Sequence, residues 1–461
     1  MSIKKIKRHN FLIYCLVLIL GTGFACFYGC GGDDGGSGDD TSSTPSTPIW
    51  DKHIIKSLTA GGLLSPHVKA AKDSDGNIQV VFFESNVPEE DYQTGTEVSY
   101  NIKHIIWDMA SMEYIEDISL AELDNCSGLG FAIDHNDVPI VAYQGGIKRQ
   151  CGDENQSDAM FSIQNGSSSW SEYTGAIGEV DASRNPVFND GLAGADIIIA
   201  FDSQGDVHLG YQFKYEGCDT MNFEFPDICY VNKGRSALGN SVNEEVVEGN
   251  QYEGPGFGIQ NSAGAHCSLA INDSDEPAII YYAELPPESG FDENTNGLRF
   301  AQKSNNVWNT SWIEEDCEVG HISNAVYDES GNLHVAYYAI RYIDSQGYEH
   351  NHCLKYATLA SGSDIWQIQT VDESTLCGDY CSLAFNSAGE PAIAYYAEKS
   401  RSGNNLKDLY LSQHTSGQWQ KEIVETRGDI GVYNNLIFDD EDGIIIISYS
   451  RTDKMIYIFN K

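Results

Sequence analysis

Polar side chains open several apolar segments that recur along the chain, and they would form a site if those segments lie side by side. Three are histidines and one is an aspartate, a donor set that suits a divalent metal. The same donors would contact a ligand in a wet, polar channel without any cofactor. We predict ligand binding here, with a metal as the alternative, at His67, Ser127, Asp196, His266, His321, Tyr380 and Asn434.

Familiar catalytic signatures are absent from the sequence, which contains no GxSxG, no HExxH and no P-loop. Glu284 and Glu398 occupy matching places in two repeats and would be the acid–base pair of a glycoside hydrolase. Solvated strand ends explain these two carboxylates equally simply. We therefore assign no catalytic residue and prefer a non-catalytic role.

A repeated segment predicts how the polar residues are positioned. Ser268–Glu284 (SLAINDSDEPAIIYYAE) and Ser382–Glu398 (SLAFNSAGEPAIAYYAE) are identical at 12 of 17 positions. Looser copies bring the number to seven, each with a strand, a turn of Asp, Asn, Ser or Gly, and a second strand carrying one aromatic residue. Those aromatic residues are Phe82, Tyr143, Tyr211, Tyr281, Tyr337, Tyr395 and Tyr449, and the last turn is placed at Asp440–Gly443.

The two ends of the chain predict how the repeats close. The seventh copy stops at Lys461 after its third strand, and a segment beginning at Trp50 supplies the missing fourth strand. A propeller closes when one blade takes strands from both termini, which removes exposed sheet edges. The sequence therefore predicts an all-β fold, a seven-bladed β-propeller over residues 49–461, closed by an N-terminal strand in the last blade.

The loops predict one elaborated face. Long loops join second strands to third strands, whereas the turns at the opposite end are tight, and long loops on a rigid scaffold commonly carry function. These loops are Asn86–Ser99, Gly145–Asp158, Lys214–Pro226 and Pro286–Gly297. Cysteines map to the same face, and the pairing we predict is Cys126–Cys151, Cys218–Cys229, Cys267–Cys317 and Cys353–Cys377, with Cys381 left over and able to exchange with Cys377.

The N-terminus predicts export. Lys4–His9 is basic, Phe11–Phe27 is apolar, and FYGC places Gly29 before Cys30, ahead of a stretch of Gly, Asp, Ser, Thr and Pro. This arrangement resembles a bacterial lipoprotein signal. The resemblance implies a signal peptide over residues 1–29, a lipid on Cys30, a flexible acidic linker over 30–48 and a place in the outer membrane. Cys26 is the competing cleavage site, and ordinary secretion or an uncleaved anchor also implies export.

Charge narrows the classes of partner. The net charge of −41 repels phosphate backbones, so we expect no nucleic acid, a membrane contact only through the anchor, and a monomer. The repeats resemble the sialidase-like propeller repeats of bacterial surface proteins. However, the arginine triad and Arg-Ile-Pro segment of sialidases are not recognisable, and the Asp-containing turn joins strands one and two, where that family has it between three and four.

These observations predict a lipid-anchored, cell-surface propeller that binds a glycan or an envelope protein on its long-loop face. The alternative is a secreted-type glycan hydrolase or lyase that works at the channel mouth. A third interpretation is an envelope scaffold without a small ligand.

Overall fold

The computed structural model describes residues 50–58, 67–85, 99–123, 128–145, 158–166, 169–176, 191–215, 227–239, 244–248, 262–285, 295–315, 318–343, 349–374, 376–398 and 407–461. All of them belong to one unit of the chain, Pro48–Lys461. The predicted signal peptide, lipid-bearing Cys30 and linker lie outside the described residues, as do most residues of the long loops.

The described residues form 28 strands in seven four-stranded antiparallel sheets, which are the blades of a β-propeller. Blade 1 consists of β2 (Lys69–Lys72), β3 (Ile78–Ser85), β4 (Tyr100–Asp108) and β5 (Glu113–Leu123). Blade 2 consists of β6 (Leu129–Ile133), β7 (Pro139–Gly145), β8 (Asp158–Gln164) and β9 (Trp170–Ala176). Blade 3 consists of β10 (Gly191–Phe201), β11 (Val207–Tyr215), β12 (Asp227–Lys233) and β13 (Glu245–Glu248).

Blades 4 to 6 repeat the same order. Blade 4 consists of β14 (Ser262–Ile271), β15 (Pro277–Leu285), β16 (Thr295–Ser304) and β17 (Val307–Glu315). Blade 5 consists of β18 (Glu318–Tyr327), β19 (Leu333–Ile343), β20 (Glu349–Leu359) and β21 (Trp366–Asp372). Blade 6 consists of β22 (Cys377–Phe385), β23 (Pro391–Glu398), β24 (Lys407–Thr415) and β25 (Gln418–Glu425).

Blade 7 is built from both ends of the chain, as predicted. It contains β26 (Ile430–Phe438), β27 (Ile444–Ser450) and β28 (Met455–Asn460), and its outer strand is β1 (Asp51–Ser57). β1 runs antiparallel to β28, with Asp51 opposite Asn460 and Ser57 opposite Met455. The pairing covers the outer edge of β28, so the closing strand leaves the last blade with the same four strands as the others.

The first strands of the blades form a closed ring around the axis. Each contacts the first strand of the next blade, and β2 contacts both β6 and β26, which completes the circle. The hydrophobic core lies between neighbouring sheets, because each apolar cluster draws on adjacent blades. One cluster joins Ile78 and Phe82 of blade 1 to Ile445 and Ile447 of blade 7.

The turns between first and second strands share one conformation. Their first residue is Asp or Asn, whose Oδ1 accepts two backbone N–H groups, as Asp73 does from Asp75 (3.1 Å) and Asn77 (2.8 Å). Their fourth residue has a positive φ, which explains the choice of Gly or Asp there. These fourth residues are Gly76, Asp137, Gly205, Asp275, Gly331, Gly389 and Asp442.

In blade 7 the prediction was displaced by one residue. The turn begins at Asp439, which accepts the backbone N–H groups of Glu441 and Gly443, and not at Asp440. Tyr449 consequently pairs with the bulged part of its first strand, as Tyr396 does in blade 6. Ser448 fills the core position that tyrosine or phenylalanine takes in the other blades. Two consecutive aspartates made both alignments equally good at the sequence level.

Helical structure is nearly absent from the described residues, which include a short 3-10 turn at Arg235–Ala237. No helix among them is long and apolar enough to cross a membrane.

Candidate functional site

A recurring irregularity places the predicted site residues at the mouth of the ring. The antiparallel register of the first strand shifts near its start, for example between Asp379 and Ser382 of β22. At this point five blades carry a non-glycine residue in the left-handed region, a conformation that costs roughly 1 kcal/mol per residue. These residues are His67 (φ 47°), Asp196 (48°), His266 (53°), Tyr380 (49°) and Tyr433 (55°).

Several of these side chains meet. The ring of His67 stacks on Tyr433 with 5.1 Å between centroids, and Tyr433 meets Tyr380 edge to face at 4.9 Å. Across the ring, Oδ2 of Asp196 accepts the backbone N–H of His266 at 3.1 Å. Blades 6, 7 and 1 therefore contribute one aromatic group, and blades 3 and 4 contribute a polar link.

Other predicted residues take different places. Tyr433, and not Asn434, occupies the ring position of blade 7, since the bulge there lies one residue earlier than the sequence suggested. Nδ2 of buried Asn434 donates to the carbonyl oxygens of Tyr380 (3.1 Å) and Gly431 (2.7 Å), so this side chain ties blade 7 to blade 6. Ser127 and the side chain of His321 lie outside the described residues.

His67 is neutral at physiological pH. Burial, together with the nearby charge of Lys69, lowers the pKa of His67 to about 4. Burial also lowers the pKa of Lys69, against the opposing effect of Asp196. Within the described parts of the chain, no three His, Cys, Asp or Glu side chains are arranged to hold a metal ion.

A cationic and aromatic group beside this ring was not predicted. The exposed Arg451 donates from Nη2 to the Tyr380 hydroxyl (2.9 Å) and from Nη1 to the Tyr396 hydroxyl (3.2 Å). Nζ of Lys407 lies 4.5 Å from the centroid of the Tyr396 ring, a cation–π contact. We call Tyr380, Tyr396, Lys407, Tyr433 and Arg451 the mouth cluster.

A tyrosine–histidine pair lies on the neighbouring blade 5. The Tyr338 hydroxyl is hydrogen-bonded to Nδ1 of His352, and the two rings stack at 5.9 Å. Burial, and then the charge of Lys407, lower the pKa of His352. Burial, and then the charge of Asp379, raise the pKa of Tyr338. The pair is therefore a neutral imidazole and a protonated phenol at pH 7.

One sequence signal would have found part of this site. Tyr338 and Tyr396 are the second residues of Tyr-Tyr pairs, and the first residues, Tyr337 and Tyr395, are fully buried core tyrosines. Because side chains alternate along a strand, the second tyrosine must face the other side of the sheet. Arg451 and Lys407 give no comparable signal, since they lie at strand boundaries where the repeats differ in sequence.

The described cysteines are Cys229, Cys267, Cys353, Cys377 and Cys381, and the structure holds all five as buried free thiols. The bonds predicted for four of them are therefore not formed here. Each thiol has a local partner instead: Sγ of Cys377 donates to the Asp372 carbonyl at 3.1 Å, and Sγ of Cys267 to the Asp196 carbonyl at 3.0 Å. Both members of the Cys126–Cys151 pair lie outside the described residues.

No protein-family model and no curated protein matches the sequence. The fold is similar to that of a polysaccharide lyase, an ulvan lyase, with a TM-score of 0.54, 9% identity and coverage of 88% of this chain and 93% of that one. A second polysaccharide lyase gives a TM-score of 0.51 and 9% identity over 87% of this chain and 90% of its own. The NanB sialidase of Streptococcus pneumoniae gives 0.43 and 12% over 88% and 70%. The solved structures similar to this chain thus include propeller lyases and sialidases.

Proposed function

We propose that the mouth cluster binds an acidic polysaccharide. The observation that carries this proposal is Arg451, whose exposed guanidinium is held in place by two tyrosine hydroxyls and not by a close carboxylate. Its nearest described carboxylate oxygen, on Asp429, is 3.9 Å from Nη1. A guanidinium fixed in this way suits a sugar carboxylate or sulfate, and the half-buried rings of Tyr380 and Tyr433 suit sugar rings, whereas Tyr396 is buried and only holds Arg451.

The charge of the whole chain limits the kind of polyanion. A net charge of −41 repels a densely charged polymer at long range, and only within about a Debye length does the local cation dominate. We therefore expect a polysaccharide whose acidic groups are separated by neutral sugars. The similar ulvan lyase has been seen bound to -[GlcA(1-4)Rha3S]-, which supports an acidic polysaccharide as the ligand class. Both sugars of that repeat carry an acidic group, so the expected spacing of charges rests on the net charge of this chain alone.

Binding is tested by calorimetry with uronate and sulfated polysaccharides against neutral dextran and xylan. We expect binding of at least one acidic polymer, weakened roughly tenfold or more by Arg451→Ala because a charge-assisted hydrogen bond is lost. Arg427→Ala is the matched control, since it removes an arginine that is 82% exposed and pairs with Glu425. Equal weakening by both variants, or no binding to any acidic polymer, would refute the proposal.

A second candidate function is cleavage of that polysaccharide by β-elimination, and the Tyr338–His352 pair favours it. Elimination next to a uronate carboxylate needs a base for the carbon-bound proton, an acid for the leaving oxygen and a cation for the carboxylate. A neutral imidazole bonded to a phenol supplies the first two. The positive charge of Lys407 lowers the pKa of His352, and the negative charge of Asp379 raises the pKa of both His352 and Tyr338.

Cleavage is tested by the ultraviolet absorbance of the unsaturated uronate that elimination leaves. Tyr338→Phe and His352→Ala should each abolish this signal while acidic-polymer binding persists. Tyr342 and His350 form a matched stacked pair further along the same hairpin, with centroids 4.8 Å apart, so Tyr342→Phe and His350→Ala are the controls. Absence of the signal with every bound polymer leaves binding as the function.

The cellular location is part of the proposal. The lipoprotein-like signal supports export and attachment through a lipid on Cys30, with the propeller presented to glycans outside the cell. Metabolic labelling with a fatty acid tests this: Cys30→Ser should remove the label and Cys26→Ser should not. Loss of label only in Cys26→Ser would move the anchor to that residue.

A further inference from the structure

A groove of about 370 Å³ lies where the last blade meets the first, and none of the mouth cluster residues lines it. Its walls are Ile54 of β1, Trp107 of β4, Met112 in the turn after β4, and Glu113 and Tyr114 of β5. Ile54 is 48% exposed and Tyr114 is 49% exposed. Small-molecule sites commonly enclose roughly 300–1,000 Å³ and combine apolar and aromatic walls with a few polar groups, as this groove does.

The aromatic wall of the groove is held rigidly. The Tyr114 hydroxyl donates to the carbonyl oxygen of Ile55, so this ring bridges the seam between blades 1 and 7. The same ring meets the buried Trp107 edge to face, with 5.4 Å between centroids and 88° between planes. Because these two contacts already fix the ring, a ligand that covers it immobilises little more of the protein. A fixed, half-exposed aromatic face suits the apolar face of a sugar ring.

The turn that forms another wall holds a large apolar residue in an unusual conformation. Met112 has a φ of 56°, and its N–H donates to the Asp108 carbonyl at 2.8 Å. Glycine or short polar residues carry positive φ in the other described turns between third and fourth strands that have one: Gly166, Asn305, Asn306, Gly362, Ser416 and Gly417. Strain at a large residue persists where its surroundings require that placement, which is common at ligand sites. Here it packs a thioether side chain against the core of blades 7 and 1, as one wall of the groove.

Blade 7 connects the groove with the mouth cluster. Ser450, which precedes Arg451, is paired with Met455 of β28, and Met455 is paired with Ser57 of β1. Ile54 lies three residues before Ser57 on the same strand. With about 4.8 Å between strands and about 3.3 Å per residue, the Cα atoms of Ser450 and Ile54 are roughly 12–14 Å apart. A polysaccharide of only a few sugars is therefore long enough to reach both places.

Charge distinguishes the two ends of this path. Arg451 and Lys407 supply positive charge at the mouth cluster. The five described residues that line the groove include no cation, and Glu113 is an exposed carboxylate. Since like charges repel, a uronate or sulfate is disfavoured beside Glu113, whereas the hydroxyl groups of an uncharged sugar donate to it. The groove therefore suits the neutral sugars of a chain whose acidic groups bind at the mouth.

We propose that the groove is a second subsite for the polysaccharide and holds an uncharged sugar, stacked on Tyr114, while an acidic sugar of the same chain occupies the mouth cluster. This inference rests on the proposed binding of an acidic polysaccharide and adds the place where its neutral sugars are recognised. Once the mouth is occupied, the groove meets the rest of the chain at a high effective concentration. Affinity should consequently rise when the ligand becomes long enough to reach both places.

The first test is calorimetry with the full chain, using an acidic polysaccharide that binds and a disaccharide prepared from it. Tyr114→Ala should weaken binding of the polymer about threefold to tenfold, because a stacking contact is lost, and leave binding of the disaccharide unchanged. Arg451→Ala should weaken both ligands. Tyr173→Ala is the matched control, since Tyr173 lies on the outer strand of blade 2 and stacks on Phe161 with centroids 5.4 Å apart. An unchanged affinity for the polymer in Tyr114→Ala, or equal weakening of polymer and disaccharide, would overturn the inference.

Neutral sugars alone give a test that does not need the mouth. In saturation-transfer NMR with the methyl glycosides of glucose, xylose and fucose, wild type and Arg451→Ala should bind at least one of them alike, and Tyr114→Ala should lose the signal. Ile54→Ala changes a half-exposed position and should also reduce the signal, which checks against a folding defect in Tyr114→Ala. In the Arg451→Ala background, methyl glucuronide should give no signal until Glu113→Gln removes the repelling charge.

The outcomes separate this inference from the proposed function. Binding of a neutral glycoside that depends on Tyr114, without binding of any acidic polymer, would keep the groove as a sugar site and refute the proposed function alone. Neutral glycosides that bind wild type but not Arg451→Ala would place the sugar at the mouth and refute the groove. Failure of every neutral glycoside to bind wild type would refute it as well.

Discussion

At the scale of single residues, carboxylates at the ends of outer strands connect neighbouring blades. Each accepts a hydrogen bond from the core tyrosine of the following blade and pairs with a cation. The tyrosine–carboxylate distances are 2.8 Å for Tyr281–Glu248, 2.8 Å for Tyr337–Glu314 and 2.7 Å for Tyr395–Asp372. The repeated endings Val-Glu, Ile-Glu, Val-Asp and Val-Glu were a sequence signal for these links that periodicity alone did not identify.

Glu425 is the corresponding carboxylate at the end of β25, next to blade 7, and its cation is Lys52 of the closing strand β1. Their charged atoms are 2.9 Å apart, and the glutamate side chain is 9% exposed. Burial alone would raise the pKa of Glu425, but hydrogen bonds from Lys52, Arg427 and backbone N–H groups lower it to about 2. The ionised form therefore stabilises the fold at neutral pH.

We expect Glu425→Gln to lower the free energy of unfolding by about 1–3 kcal/mol at pH 7. Because the folded-state pKa lies below the unfolded value, the wild type keeps this contribution above about pH 4.5 and loses it as pH falls towards 2. Urea unfolding of both proteins across that range measures the difference, which should shrink towards acid pH.

Glu422→Gln is the control for this series. Glu422 lies on the same strand as Glu425 and pairs with Lys461 at 2.8 Å, but in a more exposed position. Loss of this ion pair should therefore lower the free energy of unfolding by less than about 1 kcal/mol. A Glu425→Gln deficit that stays constant from neutral to acid pH would show that lost packing, and not the ion pair, is responsible.

At the scale of elements, serine–aspartate clasps join the tight turns of neighbouring blades. Asp275 of blade 4 accepts both the backbone N–H and the hydroxyl of Ser203 in blade 3, each at 2.7 Å. Asp442 binds Ser387 in the same way, at 2.7 and 2.6 Å. Since each aspartate sits at the positive-φ position of its turn, the clasp is made at the cost of backbone strain that glycine would avoid.

The two effects can be separated at Asp275. Asp275→Ala removes the clasp and keeps the strain, whereas Asp275→Gly removes both. We expect the Tm to fall in the order wild type, Asp275→Gly, Asp275→Ala, with Ser203→Ala intermediate because the backbone N–H of residue 203 still donates. A glycine variant more stable than wild type would mean that the clasp contributes less than the strain it requires.

Elements repeated in the sequence were predictable, and departures from the repeat were not. Turn chemistry and the fixed aromatic position located the first and second strands, and the tryptophans that open β9 and β21 located fourth strands. The bulges at the mouth were missed because positive φ is carried there by residues such as His67 and Tyr380, which give no conformational signal. The mouth cluster was missed for a related reason: Arg451 and Lys407 each have no counterpart in the other repeats, so the repeat pattern gives no signal for them.

At the scale of the whole molecule, closure depends on a strand with few apolar contacts. Of the seven residues of β1, only Ile55 is buried, at 0% exposure. It packs in the cluster that joins blades 7 and 1, and its carbonyl accepts the Tyr114 hydroxyl of β5. The adjacent Ile54 is 48% exposed. The seam between the two chain ends therefore depends strongly on one side chain.

Ile55→Ala should lower the free energy of unfolding by about 2–4 kcal/mol, because it leaves a cavity between the first and last blades. Ile54→Ala makes the same chemical change at a half-exposed position and should cost less than about 1 kcal/mol. Urea unfolding gives both values, and hydrogen exchange shows where the loss acts: the amides of β1 and β28 should exchange faster in Ile55→Ala while those of blades 3 and 4 keep their protection. Equal losses in the two variants, or faster exchange spread evenly over all blades, would mean that the ring is not held closed at this seam.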